Sequence, residues 1–498
     1  MSSKLRRKIL LLEINEIPWR VIDKFKNDNR FTNINLFFSK SKNFTTIVTD
    51  INQNPPTEKL VHGLSRDNVP VVINSDELSP WVTWPAFHRG MSSKNHKIKF
   101  LGQDVSTFQG KPIWQEFLER GHSIGLCGSL QSWPPLNPGD GGFYIPDTFA
   151  HNEKCIPEYV EPFQKFNLDQ VQKNGLVIRE KGSFSPELFG LLTSLPKLGL
   201  TANTVLKIVS QIALEVFNKK HIARRPVFQC VLFWDIFKKL YNVNNPPAFS
   251  TFFTNHFASL IHRYWCDIFP EDFDGDINTK NKLSHYEIVM YGLKIIDEML
   301  GEVIQFCGIN PDIAVVFASS MGQDAIKYTA FEGYSAELEN IDKLFSWFNI
   351  KKNEYKPQLA MVPQFAIEVL NPKVKEKIVN SVNGCFTVSG NKLFTVEEAG
   401  NTLSITIHTP PLCDIEAGEF MYKADDKTRQ NISWQESGII MHKLDAATGY
   451  HVPEGIMAFY GRDIKPDDSR KNIELSNCKT ILLDLAFERC DEETKCLQ

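Results

Sequence analysis

The stretch Ile9-Leu10-Leu11-Leu12-Glu13-Ile14, running into Asn15-Glu16, decides the fold class. It is apolar on both sides of the pleat apart from one Glu, as expected for a strand covered on both faces at the centre of a parallel sheet. Ile313 to Phe317 repeats the pattern, and Gly455 to Tyr460 returns to it late in the chain. Ser123 to Leu126, Val69 to Ile73 and Val227 to Phe233 read as further strands. Between them, residues 18–40 read as helix and loop, and Pro85 to Arg89 as the opening of a helix. Residues 151–225 read as helical, with apolar spacing across Leu192 to Val216. Phe249 to Trp265 and Tyr286 to Cys307 read as two more helices. Alternation of this kind predicts an α/β fold, a mostly parallel central sheet with helices on both faces. From about 355 to 440 the texture shifts to short strands, such as Leu393-Phe394-Thr395-Val396 and Leu403-Ser404-Ile405-Thr406-Ile407, punctuated by Ser389-Gly390-Asn391 and Gly400-Asn401. The expected organisation is a main core over 1–354, a small inserted α+β subdomain over 355–440, and a return to the core over 441–498.

The chain has 498 residues, 42% hydrophobic and 23% charged, with a net charge of −4. That is enough apolar material for a large core, and the charge balance excludes an overall basic, nucleic-acid-binding composition. The ten cysteines are scattered, with no CxxC pair, which predicts reduced, structural thiols in a reducing compartment. The N-terminal apolar run is interrupted by Glu13 and lacks a small-residue cleavage site, so it reads as a strand rather than a signal peptide. No stretch approaches the ~18–20 apolar residues of a membrane span. The expected location is the cytoplasm, and the expected partner is a small-molecule or glycan phosphate ester rather than nucleic acid.

Four segments carry candidate chemistry. Trp81-Val82-Thr83-Trp84-Pro85, followed by His88-Arg89-Gly90 and His96, could hold a Thr83 hydroxyl near helix amides. Asn255 to Trp265 contains His256, His262 and Arg263; on a helix, His262 shares a face with Ala258 and Ser259 but not with His256. Ala318-Ser319-Ser320-Met321-Gly322-Gln323 follows a buried strand, and Gly449-Tyr450-His451-Val452-Pro453-Glu454-Gly455 precedes another. His262 and His451 could hold one divalent metal (zinc, manganese or magnesium) with a carboxylate such as Asp235 or Glu16, or could contact a phosphate or sulfate directly. Asp272-Phe273-Asp274-Gly275-Asp276 lacks the glycine and the final carboxylate of a calcium loop and reads as a solvated acidic turn.

In this order the segments resemble the alkaline-phosphatase-like superfamily, which includes the type I phosphodiesterases and nucleotide pyrophosphatases. The resemblance implies a two-metal site, with Thr83 at the nucleophile position and His262 and His451 as metal ligands. The chain departs from it where the superfamily has charged ligands: Asn15 replaces the Asp of an Asp-Gly strand end, Ala258 the Asp of a "DxxxH" segment, and Ser320-Met321 an Asp-His pair. Hydroxyl and thioether are poor ligands for these metals, so a full two-metal site is not expected. Catalytic roles therefore fall to Thr83, His262 and His451. Substrate contacts fall to Asn15, Glu16, Trp81, Trp84, His88, Arg89, Arg263, Ser320 and Gln323. The functions implied are a phosphate- or sulfate-ester hydrolase or transferase, with similarity to a bacterial branch suggesting a sugar phosphate in surface polysaccharide synthesis, or a non-catalytic binder of the same shape. Metal-independent transfer by His256, His262 and Asp235 is a third option.

Overall fold

The computed structural model describes the chain except residues 1–3, 52–59, 65–69, 75–77, 174–196, 274–284, 329–333, 362, 424–428, 444–447 and 489–498. Leu192, Val69 and Asp274-Gly275-Asp276, singled out above, lie outside the described residues. The central sheet has eight strands, in the order Asp467–Glu474, Lys42–Ile47, Glu454–Tyr460, Ile313–Ser319, Lys8–Ile14, Phe249–Thr254, Ile124–Cys127 and Phe143–Ile145. Glu454–Tyr460 is antiparallel to both of its neighbours, while the other pairings are parallel.

The apolar run that opens the chain pairs on both sides, Leu11 standing between Thr251 and Val316. Its alternate side chains divide between two cores. Leu10, Leu12 and Ile14 meet residues of the helices Thr32–Ser39, Arg225–Leu240, His256–Ile268 and Tyr286–Ile309. Ile9 and Leu11 meet those of Pro80–Arg89, Ile113–Glu119 and Cys478–Ala486 on the opposite face. Because both faces are covered, both alternating sets must be apolar. A third apolar cluster serves the smaller sheets between Tyr334 and Lys443, including the four-stranded sheet of Tyr355–Gln358, Gln364–Val369, Thr402–Ile407 and Phe394–Ala399. The eight described cysteines are free thiols. Among the described residues, no helix is long and apolar enough to cross a membrane.

Four readings of the sequence are corrected. Val227 to Phe233 is not a strand: it lies in the helix Arg225–Leu240, where Pro226 sits in the first turn. Residues 230–237 of that helix are all buried and, apart from Asp235, apolar, so the run carries no continuous polar face to reveal its period. Phe249 to Trp265 is not one helix: it divides at Asn255 into the strand Phe249–Thr254 and the helix His256–Ile268. The β-branched and aromatic string Phe-Ser-Thr-Phe-Phe-Thr is well suited to a pleated, buried strand. The helix expected from Pro85 begins at Pro80, with Pro85 inside it, so Thr83 lies within the first turn and its N–H donates to the Ser79 carbonyl at 2.9 Å. Finally, Asp272 is buried rather than solvated, because Arg20 clamps its carboxylate through two bonds of 2.6 Å.

Candidate metal centre

Three adjacent parallel strands end together, at Asn15-Glu16, Asn255-His256 and Ser320. The carboxyl edge of a parallel sheet is where side chains from several strands can converge on one ligand. Glu16 takes the left-handed conformation, φ 58°, an uncommon state for a residue with a Cβ. Its carboxylate is buried and gathers four donors. Asn15 Nδ2 donates to Oε1 at 2.7 Å, and Gln323 Nε2 donates to Oε2. His262 Nε2 lies 2.8 Å and His451 Nε2 3.3 Å from the same Oε2.

Each histidine is delivered by a different element. His262 projects from the helix His256–Ile268, and His451 from the short strand Gly449–Val452, which pairs antiparallel with Gly322–Ala325 and sets His451 opposite Gln323. The two elements lock together where the Thr448 N–H donates to the His262 carbonyl at 2.8 Å. Gly449 permits that approach, since a Cβ there would stand 2.5 Å from the Ile261 carbonyl oxygen. The Gly449 carbonyl in turn accepts from His262 Nδ1 at 2.9 Å. Nδ1 therefore carries a hydrogen in either charge state, while Nε2, turned toward Glu16, donates to the carboxylate when the ring is protonated and offers a lone pair when it is neutral.

The electrostatics follow from this geometry. Burial alone would raise the Glu16 pKa, but the charges of His451 and His262 and their hydrogen bonds hold it well below the usual carboxylate range. For His262, burial opposes protonation, yet the Glu16 charge and hydrogen bond outweigh it and raise the pKa. A dense negative oxygen between two imidazoles therefore persists through neutral pH in the metal-free protein.

The donor set suits a divalent metal. The ligating atoms of Glu16, His262 and His451 all lie within 4.8 Å of one another. Two imidazoles and a carboxylate, leaving a position open, is a donor set of catalytic zinc sites. The Nδ1–H to carbonyl bond of His262 is the outer contact that commonly orients a metal-binding histidine. His451 Nδ1 is buried without a hydrogen-bond partner among the described residues, so nothing equivalent fixes its ring.

The remaining candidates surround this cluster or lie apart from it. Asn15 spends both amide hydrogens, on Glu16 and on Asn255 Oδ1 at 2.7 Å, while its oxygen accepts from Trp84 Nε1 at 2.8 Å. Its polar capacity thus serves to hold the carboxylate. Thr83 is buried, its hydroxyl 2.8 Å from Ser320 Oγ and 3.3 Å from the Ser79 carbonyl. Met321 is buried in the apolar core. His88 pairs with Glu13 at 2.6 Å behind Trp84 and Trp114, both partners buried. Arg89 donates to the carbonyls of Gln109 and Gly110, and the Thr448 hydroxyl caps the Arg263 carbonyl. Trp81 is half-buried on the Thr83 helix, and Trp133 stacks on His151 at 4.4 Å.

The His256, His262 and Asp235 constellation does not form. His256 is buried and bonded to Thr254 Oγ1 at 2.7 Å and the Gly292 carbonyl at 3.1 Å, and burial lowers its pKa to about 4. Asp235 instead accepts from Thr201 and pairs with Lys238.

Sequence reasoning missed the support behind the site. Arg20 bridges Asp272 and Asp324, stacks on Phe269 at 4.1 Å, and shares Asp272 with Trp265 Nε1. Asp324 pairs in register with Tyr450, next to His451, so this network braces the histidine strand. Its only signal in the sequence was an Arg one turn beyond the first strand's end.

No protein-family model and no curated protein matches the chain. Among solved structures, murine ectonucleotide pyrophosphatase/phosphodiesterase 5 aligns over 96% of this chain and 95% of its own, with TM-score 0.39 and 10% identity. The human protein of that name aligns over 96% and 94%, with TM-score 0.38 and 11% identity.

Proposed function

We propose that the chain is a metal-assisted hydrolase or transferase of phosphate or sulfate esters, built around one divalent ion held by Glu16, His262 and His451. The convergence of Glu16 Oε2 with two histidine Nε2 atoms at the carboxyl edge of the sheet carries this reading. Zinc, manganese and magnesium are the candidate ions. A bound ion would supply Lewis-acid polarisation of the ester oxygens. Glu16 lies directly after Asn15, and its carboxylate supplies the kind of negative charge that Asn15, Ala258 and Ser320 lack. Asn15 and Gln323 hold that carboxylate in place. The histidines form the more accessible side of the cluster, with His262 28% exposed against 3% for Glu16, and so face an incoming anion. Thr83, bonded to Ser320, is the proposed nucleophile, and a sugar phosphate of surface polysaccharide synthesis is a substrate to test first.

Metal analysis of the purified protein, combined with turnover of chromogenic phosphate and sulfate esters by wild type, Thr83→Ala and Glu16→Gln, tests this reading. We expect about one metal per chain, lost in Glu16→Gln, and turnover abolished in both variants. Wild-type turnover that persists in chelator would sink the metal; undiminished turnover in Thr83→Ala would remove the nucleophile. One observation favours a second reading, a non-catalytic ligand-binding protein: the Thr83 and Ser320 hydroxyls are buried and bonded to each other. That reading gains if wild type binds phosphate esters without turning them over.

A further inference from the structure

The helix Ala202–Phe217 is amphipathic the wrong way round for a covered surface helix. Its protein-facing side is mixed: Ile208 packs on the core and Leu214 is half-buried, but Thr204 and Gln211 are buried beside them, Gln211 donates to Glu215 and to the His221 carbonyl, and Lys207 pairs with Glu298. Its apolar side faces outward. Val205, Val209, Ile212 and Val216 recur at helical spacing, joined by Leu206 and Phe217. Leu206 is 68%, Val216 79% and Phe217 88% exposed, values that leave these side chains almost wholly in water. Isolated exposed apolar residues need no explanation, whereas a continuous stripe marks a surface that is covered in use.

We propose that this stripe docks on an anionic lipid surface, the helix lying flat in the interface. Charge complementarity selects that occupant. The exposed Lys219 and Lys220 follow the stripe directly, while none of its exposed residues is Asp or Glu. Glu215, the helix's one carboxylate, is turned inward and neutralised by Arg225 at 2.8 Å. Apolar side chains next to uncompensated lysines match acyl chains beneath anionic headgroups. A second copy of the helix would offer those lysines no acidic partner. The surface involves none of the metal-centre residues, so the proposal does not depend on the ester chemistry.

The test is co-sedimentation of the full chain with vesicles of phosphatidylcholine alone and of phosphatidylcholine mixed with phosphatidylserine. Wild type should pellet with the mixed vesicles, less so as salt rises, and weakly with phosphatidylcholine alone. Lys219→Glu with Lys220→Glu should cut partitioning by at least about thirtyfold at low salt. Leu206→Asp with Val209→Asp should abolish it, with far-UV circular dichroism unchanged because both sites are exposed. Wild type remaining in the supernatant with mixed vesicles would overturn the proposal, whether another segment or a second copy covers the stripe. So would equal pelleting of the double-Asp variant.

Discussion

Glu16→Gln probes the site most directly, and its effect can be worked out from the contacts. The carboxylate accepts from four donors, on Asn15, Gln323, His262 and His451. An amide of the same shape offers one oxygen and one NH2, so its nitrogen must face donors wherever it points. The charge is lost as well, from a group that is buried. Breaking a buried pair by removing one partner costs about 3–5 kcal/mol. Because His262 is 28% exposed and can regain some hydration, about 2–4 kcal/mol is expected here. Urea unfolding in chelator, followed by tryptophan fluorescence, measures this. The metal arm is independent. Zinc at a hundred times the wild-type Kd stabilises wild type by about 2.7 kcal/mol. If losing one of three ligands weakens binding about a hundredfold, the same zinc concentration adds only about 0.4 kcal/mol to the variant. A variant whose zinc affinity stays within threefold of wild type would refute Glu16 as a ligand. A variant as stable as wild type in chelator would refute the charge cluster itself.

Gln323→Leu removes a donor to the Glu16 carboxylate without touching a ligand; metal affinity should fall about 10–100-fold by calorimetric titration, and unchanged affinity would mean Gln323 does not position Glu16. Arg20→Leu strands the buried Asp272 carboxylate and should cost about 3–5 kcal/mol in urea unfolding, with Arg20→Leu/Asp272→Leu recovering part of the loss; a neutral single variant would show that the network does not brace the fold. Burial lowers the pKa of His96 and of His256 from 6.5 to about 4, so the unfolded chain takes up protons between those values while the folded protein does not. Their contribution is therefore complete above pH 6.5 and is lost as pH falls toward 4, by about 3 kcal/mol for each histidine. His256→Gln should flatten the acid limb of a stability–pH curve, and an unchanged slope would show that His256 titrates normally.

Sequence alone determined the elements whose burial leaves a plain pattern. Ile9 to Ile14 and Ile313 to Phe317 read as central strands because helices cover both of their faces, and Tyr286 to Cys307 read as a helix because its long 3.6-residue period survives. The pattern failed where burial erased it, as in the fully buried run 230–237 of the helix Arg225–Leu240 and the strand Phe249–Thr254 joined to a helix with one residue between. In the candidate site, His262 and His451 were legible from their segments, as were the missing carboxylates at Asn15, Ala258 and Ser320 and the missing imidazole at Met321. The carboxylate was not settled: Asp235 and Glu16 were equal candidates on paper, 219 positions apart. Tertiary structure chose Glu16 by turning its backbone left-handed at a strand end, so that its carboxylate meets a helix histidine and a strand histidine drawn together across Gly449. Residue types set which atoms can hold a metal or a charge. Only the folded chain, by bringing positions 16, 262, 323 and 451 to one point, decided which of them could do so together.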